Sequence, residues 1–197
     1  MIKTFSIVVL LTTLFNFGSF AEEIQAFNFT KEEFDNLTVR KIKKKTKYTL
    51  GSNENGNFLK AEAEGQASGL GKEILIDLNK TPFLNITWKV EKDLSGIDEK
   101  SKKGHDYAAR VFVIKKTGST ALSNRAINYV FSSNEEIGQY WRSPFTKKSI
   151  DYVLATTKTN NNEWVTVKTN VKEDFKKLHD LDVNELNGVA IMTDTDN

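Results

Sequence analysis

Two aspartates near the end of the chain have the spacing of a ligand-binding or turn motif. Asp194 and Asp196 follow an apolar run at 189–193, and strand alternation places both side chains on one side. With Asn197 they supply only part of a calcium site, because this ion takes about six to eight oxygen ligands. The other roles open to them are contacts to sugar hydroxyls and the capping of a turn by side-chain oxygens. We therefore predict no metal ligands here, and calcium stays open as an alternative that the sequence does not support.

A second polar set lies on the strand-like segment that starts near Asp106. Alternation puts Asp106 and Arg110 on one face. The opposite, apolar face consists of Tyr107, Ala109, Val111 and Val113. In the preceding strand, 84–90, Lys89 falls on the polar face. If the two strands are neighbours, Lys89, Asp106 and Arg110 converge on one sheet face.

Such a face suits a glycan or another polyhydroxylated ligand. Carboxylate and guanidinium groups bind hydroxyls, and an aromatic ring stacks on a sugar. Trp141, in the segment GQYWRSPF, is the candidate for stacking. The alternative is an Asp106–Arg110 ion pair that ties two strands together, with a modest contribution to stability if it is exposed.

The sequence contains little that indicates catalysis. The sequence has no Gly-x-Ser-x-Gly elbow, His-Glu-x-x-His helix, P-loop or dinucleotide fingerprint. His105 precedes Asp106 but has no evident nucleophile, and His179 is predicted on a helix surface. We therefore predict no catalytic residues and no cofactor. A glycoside hydrolase that uses Asp106 with Asp194 or Asp196 stays open as an alternative, because the sequence does not reveal the separation of the carboxylates.

The elements that must position these residues are short strands. Nine segments have the period-two pattern or the β-branched and aromatic composition of strands, and turn-forming residues separate them. They are 46–50, 58–63, 74–78, 84–90, 107–114, 126–131, 150–156, 163–169 and 189–193. This pattern predicts a mainly β fold, an antiparallel two-sheet sandwich or jelly roll.

Two segments predict short surface helices. Residues 30–37 begin with Thr30 as N-cap and carry Glu33 three positions later, the spacing of a capping box. Residues 171–181 place Val171, Phe175 and Leu178 on one face, which is typical of an amphipathic helix lying over a sheet. Between the first helix and the first predicted strand, the basic run 40–47 is expected to be a solvated edge strand. Lysines commonly protect such edges from aggregation, and contact with anionic lipid or polysaccharide is the alternative.

The first residues have the layout of a secretory signal peptide. Lys3 precedes the apolar segment FSIVVLLTTLF, and Ser19-Phe20-Ala21 resembles a cleavage site. We therefore expect residues 1–21 to be a signal peptide and 22–197 to be one exported domain. With no cysteine, the domain must be stable without disulfides, which favours the periplasm of a Gram-negative bacterium. The net charge of +2 does not favour nucleic acid, and no later segment has transmembrane length.

Several segments together resemble one family. They are Ala67–Leu70, Pro82–Val90, Asp106–Val113, Ile127–Val130, Asn170–Phe175 and Gly188–Asn197. Their order and spacing resemble the exported bacterial domain-of-unknown-function family 3047, from about Tyr48 to the last residue.

The resemblance implies a periplasmic, single-domain, β-rich protein and no established activity. Family members tend to carry a second tryptophan where Ile86 stands, and often an acidic residue where His105 stands. They also usually continue past the terminal TDTDN with one more strand. The resemblance therefore implies either a truncation at the C-terminal strand or a protein that lacks this edge strand, and we expect an open sheet edge beside 189–193.

The sequence thus favours a non-catalytic periplasmic binding domain for a glycan or another envelope ligand. The expected ligand-binding residues are Lys89, Asp106, Arg110, Trp141, Asp194 and Asp196. The alternatives are the hydrolase described above and a structural envelope protein in which the same residues are internal ties.

Overall fold

A computed structural model describes residues 22–120 and 123–197, and the expected signal peptide lies outside these residues. The helices are α1 (Lys31–Asn36) and α2 (Val171–His179). The strands are β1 (Thr38–Lys43), β2 (Lys47–Asn53), β3 (Gly56–Glu62), β4 (Ala67–Asp77), β5 (Phe83–Trp88), β6 (Tyr107–Lys115), β7 (Arg125–Ser132), β8 (Tyr140–Arg142), β9 (Ser149–Thr156), β10 (Val165–Asn170) and β11 (Glu185–Asp194). The prediction of a mainly β fold with two short helices is confirmed. All nine strands predicted from alternation or composition are present, β1 corresponds to the edge strand expected in the basic run, and β8 is additional.

The strands form one large sheet and two small ones. The seven-stranded sheet has the order β1-β4-β11-β6-β7-β9-β8, while β5 pairs with β10 and β2 with β3. The pairing is antiparallel except between β7 and β9, which run parallel. The predicted sandwich is therefore confirmed, with the seven-stranded sheet and the β5–β10 sheet as two unequal layers. The parallel pair β7–β9 departs from the expected antiparallel arrangement.

The main core fills the space between the seven-stranded sheet and a cover made of β5, β10 and α2. Tyr129 and Phe131 of the large sheet and Phe175 of α2 are fully buried, and Trp88 of β5 packs on Phe131 with ring centroids 5.4 Å apart. Burial of each such side chain stabilises the fold by about 1.5–3 kcal/mol. The cover therefore holds one face of the large sheet away from water.

The opposite face of the large sheet carries a smaller apolar cluster. Tyr107, Val130 and Val153 form it, and the half-buried Trp141 packs against them. The prediction that Tyr107 shares the face of Val111 and Val113 is therefore wrong. The register between β6 and β11 is irregular opposite Tyr107, so alternation does not continue to this end of β6.

Both helices begin where local chemistry predicts. The Thr30 side chain accepts a hydrogen bond from the Glu33 N–H at 3.2 Å, which caps α1. Asn170 caps α2, whose buried face includes Val171, Phe175 and Leu178, as expected.

The C-terminal end of α2 differs from the prediction. The helix ends at His179 rather than at 181, because Asp180 adopts a left-handed backbone with φ of 50°. His179, predicted on the helix surface, is half-buried. Its Nε2 lies 2.9 Å from the Ala126 carbonyl oxygen, and its ring stacks on Phe175.

The edges of the large sheet are β1 and β8. Every residue of β1 is exposed, so the prediction that the basic run contributes an exposed edge strand is confirmed. The expected open edge beside the last strand is wrong, since β11 is hydrogen-bonded to β4 on one side and to β6 on the other. No helix among the described residues is long and apolar enough to cross a membrane.

Candidate functional site

The pairing of β6 with β11 brings the end of one strand to the start of the other. Asp194, the last residue of β11, is the register partner of Tyr107, the first residue of β6. Asp106 directly precedes β6, and Asp196 lies two residues beyond β11. Oxygens of Asp106, Asp194 and Asp196 consequently lie within 4.8 Å of one another. We call these three residues the carboxylate cluster.

One arginine approaches the carboxylate cluster from β6. The Nη2 of Arg110 donates to Asp194 Oδ2, and the two side chains are only 4% and 9% exposed. The guanidinium also lies over the rings of Tyr107 and Phe112, at 5.1 and 5.5 Å. Breaking a buried ion pair of this kind by removing one partner typically costs about 3–5 kcal/mol.

Two polar atoms of this ion pair have no hydrogen-bond partner. Asp194 Oδ1 and Arg110 Nε are both buried and unpaired. Buried polar atoms are nearly always paired in folded proteins, so each exception needs a physical reason. The pair is therefore incompletely satisfied by the residues around it.

Asn197 and Lys43 reach the cluster from its outer side. The backbone N–H and the side-chain Nδ2 of Asn197 donate to the two carboxylate oxygens of Asp106, at 3.1 and 2.7 Å. Lys43 of β1 donates to the backbone carbonyl of Asp196. Asp106 and Asp194 are buried, whereas Asp196 is half-buried, so the cluster meets solvent on the side of Asp196.

The electrostatics of the cluster favour neutralisation of Asp194. Burial raises the pKa of this carboxyl to about 7, against the opposing effect of the Arg110 charge. The Asp196 carboxylate accepts a hydrogen bond from the protonated form of Asp194, and this bond and the negative charges of Asp106 and Asp196 raise the pKa further. Arg110 and Lys43 bring two positive charges to three carboxylates, two of which are buried.

A second buried network continues from Arg110. His105 Nε2 lies 2.8 Å from Asp151 Oδ2, and Asn128 Nδ2 donates to Asp151 Oδ1 at 2.7 Å. The other ring nitrogen of His105 faces Arg110 Nη1 at 3.5 Å. Because a guanidinium only donates hydrogen bonds, this nitrogen is the acceptor and Nε2–H donates to Asp151. His105 is thus held between an arginine and an aspartate, not beside a hydroxyl that it can activate.

Aromatic side chains border this network. The Phe145 ring is 62% exposed and contacts the His105 ring edge-on, with centroids 5.4 Å apart. Trp141 packs on the small apolar cluster, and the Lys100 ammonium lies 5.2 Å from the centre of its ring. Phe145 therefore offers an open ring next to the polar network, whereas Trp141 is partly covered.

Four of the six residues predicted for the site come together, namely Asp106, Arg110, Asp194 and Asp196. Trp141 lies on the same face of the large sheet, since its register partner is Asp151. The expectation that Lys89 joins them through strand pairing is wrong. The strand before Lys89, β5, pairs with β10 in the other layer, and the Lys89 ammonium lies 3.3 Å from a Glu91 carboxylate oxygen.

The sequence reading missed three residues of this region: Asn128, Asp151 and Phe145. Asn128 and Asp151 interrupt otherwise apolar strands, and a polar residue in a buried strand is a detectable signal of a buried network. Phe145 lies in a loop and carries no such signal. Only the position of that loop against His105 makes it part of the site.

Comparison with known families agrees with the expectation drawn from the order and spacing of the segments. The model of the family described as "Protein of unknown function (DUF3047)" matches residues 32–197, which is most of the chain, so the resemblance is confirmed. A search among curated proteins found no match.

Proposed function

We propose that this protein, which belongs to the DUF3047 family, is a non-catalytic binding domain for a glycan or another polyhydroxylated ligand. The proposed site is the surface between Phe145 and Asp196. The proposal includes export to the periplasm, which is supported by the signal-peptide layout of residues 1–21. Its envelope location makes cell-surface glycans the first ligands to test.

The observation that carries the proposal is a continuous series of contacts from an exposed ring to a half-exposed carboxylate. Phe145 contacts His105, which faces Arg110. Arg110 binds Asp194, and Asp194 lies against Asp196. Sugar recognition needs these two kinds of group side by side, an apolar face for the ring and charged oxygens for the hydroxyls.

The buried network supports the site by fixing the groups that face the ligand. His105 is held by Asp151 and Arg110 and provides a firm base for the Phe145 ring. Asp106 is held by Asn197. Side chains that are already fixed lose little conformational entropy on binding, so affinity improves.

Hydrolysis by the carboxylate pair is not favoured by this geometry. A glycosidase acid and base must reach the scissile bond. Here Asp106 and Asp194 are 5% and 6% exposed, and Asn197 bonds to both oxygens of Asp106. We therefore do not extend the proposal to turnover.

A structural envelope protein is the second candidate function. The observation that favours it is the burial of the Arg110–Asp194 pair, because an internal tie does not require access to a ligand. Under this candidate, the exposed Phe145 has no role in ligand recognition.

The test is a titration of the purified protein with soluble glycans of the bacterial envelope, followed by calorimetry. We expect Phe145→Ala to weaken glycan binding by about three- to tenfold, the value of an aromatic contact of about 0.5–1.5 kcal/mol. The matched control is Phe83→Ala, since Phe83 is also exposed, at 53%, but lies on β5 in the other layer.

Two outcomes decide between the glycan-binding site and the structural candidate. Glycan binding that falls in Phe145→Ala and stays unchanged in Phe83→Ala supports the binding site. No binding to any envelope glycan, or equal affinity in both variants and the parent, contradicts it. In that case the structural candidate predicts that only the variants of the buried pair change the protein, through a lower melting temperature.

A further inference from the structure

The carboxylate cluster holds more negative charge than the surrounding protein neutralises. Its three carboxylates have oxygens within 4.8 Å of one another, and the one guanidinium bonded to them is that of Arg110 on Asp194 Oδ2. Asp106 receives only neutral amide donors from Asn197. Like charges in a buried place repel strongly unless a proton or a cation lies between them.

A separate observation at the same place is a buried carboxylate oxygen without a hydrogen-bond partner. Asp194 is 6% exposed, and its Oδ1 is buried without a hydrogen-bond partner. Within 22–120 and 123–197, no other carboxylate oxygen is both buried and unpaired. Because Arg110 already occupies Oδ2, the free Oδ1 is the atom that remains for a ligand of positive charge.

We propose that Asp106, Asp194 and Asp196 together bind one divalent cation that prefers oxygen ligands, with calcium as the expected ion. Carboxylate oxygens are the preferred ligands of such hard cations. Calcium tolerates an irregular arrangement of ligands, whereas magnesium requires a near-ideal octahedron. The three carboxylates come from the residue before β6, the last residue of β11 and the segment after β11, so they are not successive positions of one regular element.

The remaining ligands enter from the side of Asp196, where the cluster is half-exposed. Three side chains supply only part of the about six to eight oxygens that calcium takes, so water or ligand hydroxyls complete the shell. Coordination of a ligand hydroxyl by the cation rests on the proposed function. Binding of the cation itself does not, and it is tested without any glycan.

The experiment is a calorimetric titration of the purified, EDTA-treated and dialysed protein with calcium chloride, and separately with magnesium chloride. We expect one calcium per chain and a higher melting temperature in its presence, because a ligand that binds only the folded state stabilises it. Asp196→Asn should lower the calcium affinity by about tenfold or more, since it removes one charged ligand. Asp196 is half-exposed, so this variant is expected to fold, and circular dichroism checks that it does.

The control is Asp182→Asn. Asp182 is also an aspartate, with a side chain that is 80% exposed and a single ion pair to Lys176 at 3.2 Å, away from the cluster. Calcium affinity that falls in Asp196→Asn but not in Asp182→Asn supports the site. Absence of binding up to about 10 mM calcium, above the weakest affinities of extracellular modules, overturns it. Equal affinities in the parent and Asp196→Asn overturn it as well.

Discussion

Glu99 and Asp194 are both buried carboxylates, but the protein surrounds them in opposite ways. Both oxygens of Glu99 are bonded, Oε2 to the Ser132 hydroxyl at 2.6 Å and Oε1 to the backbone N–H groups of Ser133 and Asn134 and the Asn134 side chain. Asp194 has one bonded oxygen and one orphan, with two further carboxylates beside it. Both oxygens of Glu99 accept hydrogen bonds, whereas one oxygen of Asp194 accepts none.

Under our proposal, this difference separates a carboxylate that stabilises the fold from one that takes part in binding. Glu99 attaches the loop before β6 to the end of β7, and a fully bonded buried carboxylate stabilises that attachment. The carboxylate cluster carries more negative charge than Arg110 and Lys43 compensate. Under our proposal, a bound cation supplies the missing positive charge. Proteins commonly retain such local instability where a ligand must bind.

The largest expected effect is the loss of the one guanidinium bonded to the cluster. Arg110→Ala leaves Asp194 buried without its charged partner and should lower the free energy of unfolding by about 3–5 kcal/mol. Urea unfolding at pH 8 measures this change. Arg142→Ala is the control, because Arg142 is exposed and donates only to the Lys147 carbonyl.

An Arg110→Ala variant as stable as the parent would contradict the comparison between Glu99 and Asp194. It would mean that the Asp194 carboxylate is compensated without the guanidinium. We expect the Arg142→Ala control to change the free energy of unfolding by less than about 0.5 kcal/mol, the usual range for surface substitutions.

The next effect is a dependence of stability on pH in the presence of a chelator. The pKa of Asp194 is raised from 3.8 to about 7 in the folded protein. The protonated carboxyl is therefore favoured by folding, and its contribution is fully present below pH 4. It is lost as the pH rises through about 7, so the free energy of unfolding should fall by about 2 kcal/mol between pH 5 and pH 8.

The matched variant for the pH experiment is Asp194→Asn, which removes the titrating group. The pH dependence of the parent, measured by urea unfolding in EDTA, should be reduced in this variant by the amount assigned to Asp194. If the two proteins show the same change between pH 5 and pH 8, Asp194 does not titrate in this range and the cluster is better compensated than its contacts indicate.

Local patterns predict much of this fold. The N-caps at Thr30 and Asn170 rest on contacts within three residues, and both helices begin where the sequence indicates. Alternation also identifies the strands that contain apolar residues at every second position. It does not identify β1, which is basic and fully exposed, or β8, which has three residues. The lysine-rich composition predicts β1 as an exposed edge strand, whereas nothing in the composition of β8 predicts a strand.

Pairing between distant strands is where sequence reasoning fails. The faces of Arg110 and Asp194 follow from alternation, so their meeting required only that β6 and β11 be neighbours. Lys89 also lies on a polar face, but β5 belongs to the other layer. The contact of Phe145 with His105 joins two loops, and no periodic pattern encodes it.

The most direct test of the central claim compares two neutral isosteres in EDTA at pH 8. Glu99→Gln places amide N–H groups against the donors around Glu99 and should lower the free energy of unfolding by about 1–3 kcal/mol. Asp196→Asn removes repulsion from the half-exposed side of the cluster and should raise it by about 0.5–1 kcal/mol. We predict that the two variants change the free energy of unfolding in opposite directions. If Asp196→Asn destabilises the protein as much as Glu99→Gln does, the carboxylate cluster is part of the fold's own stabilisation and the account is contradicted.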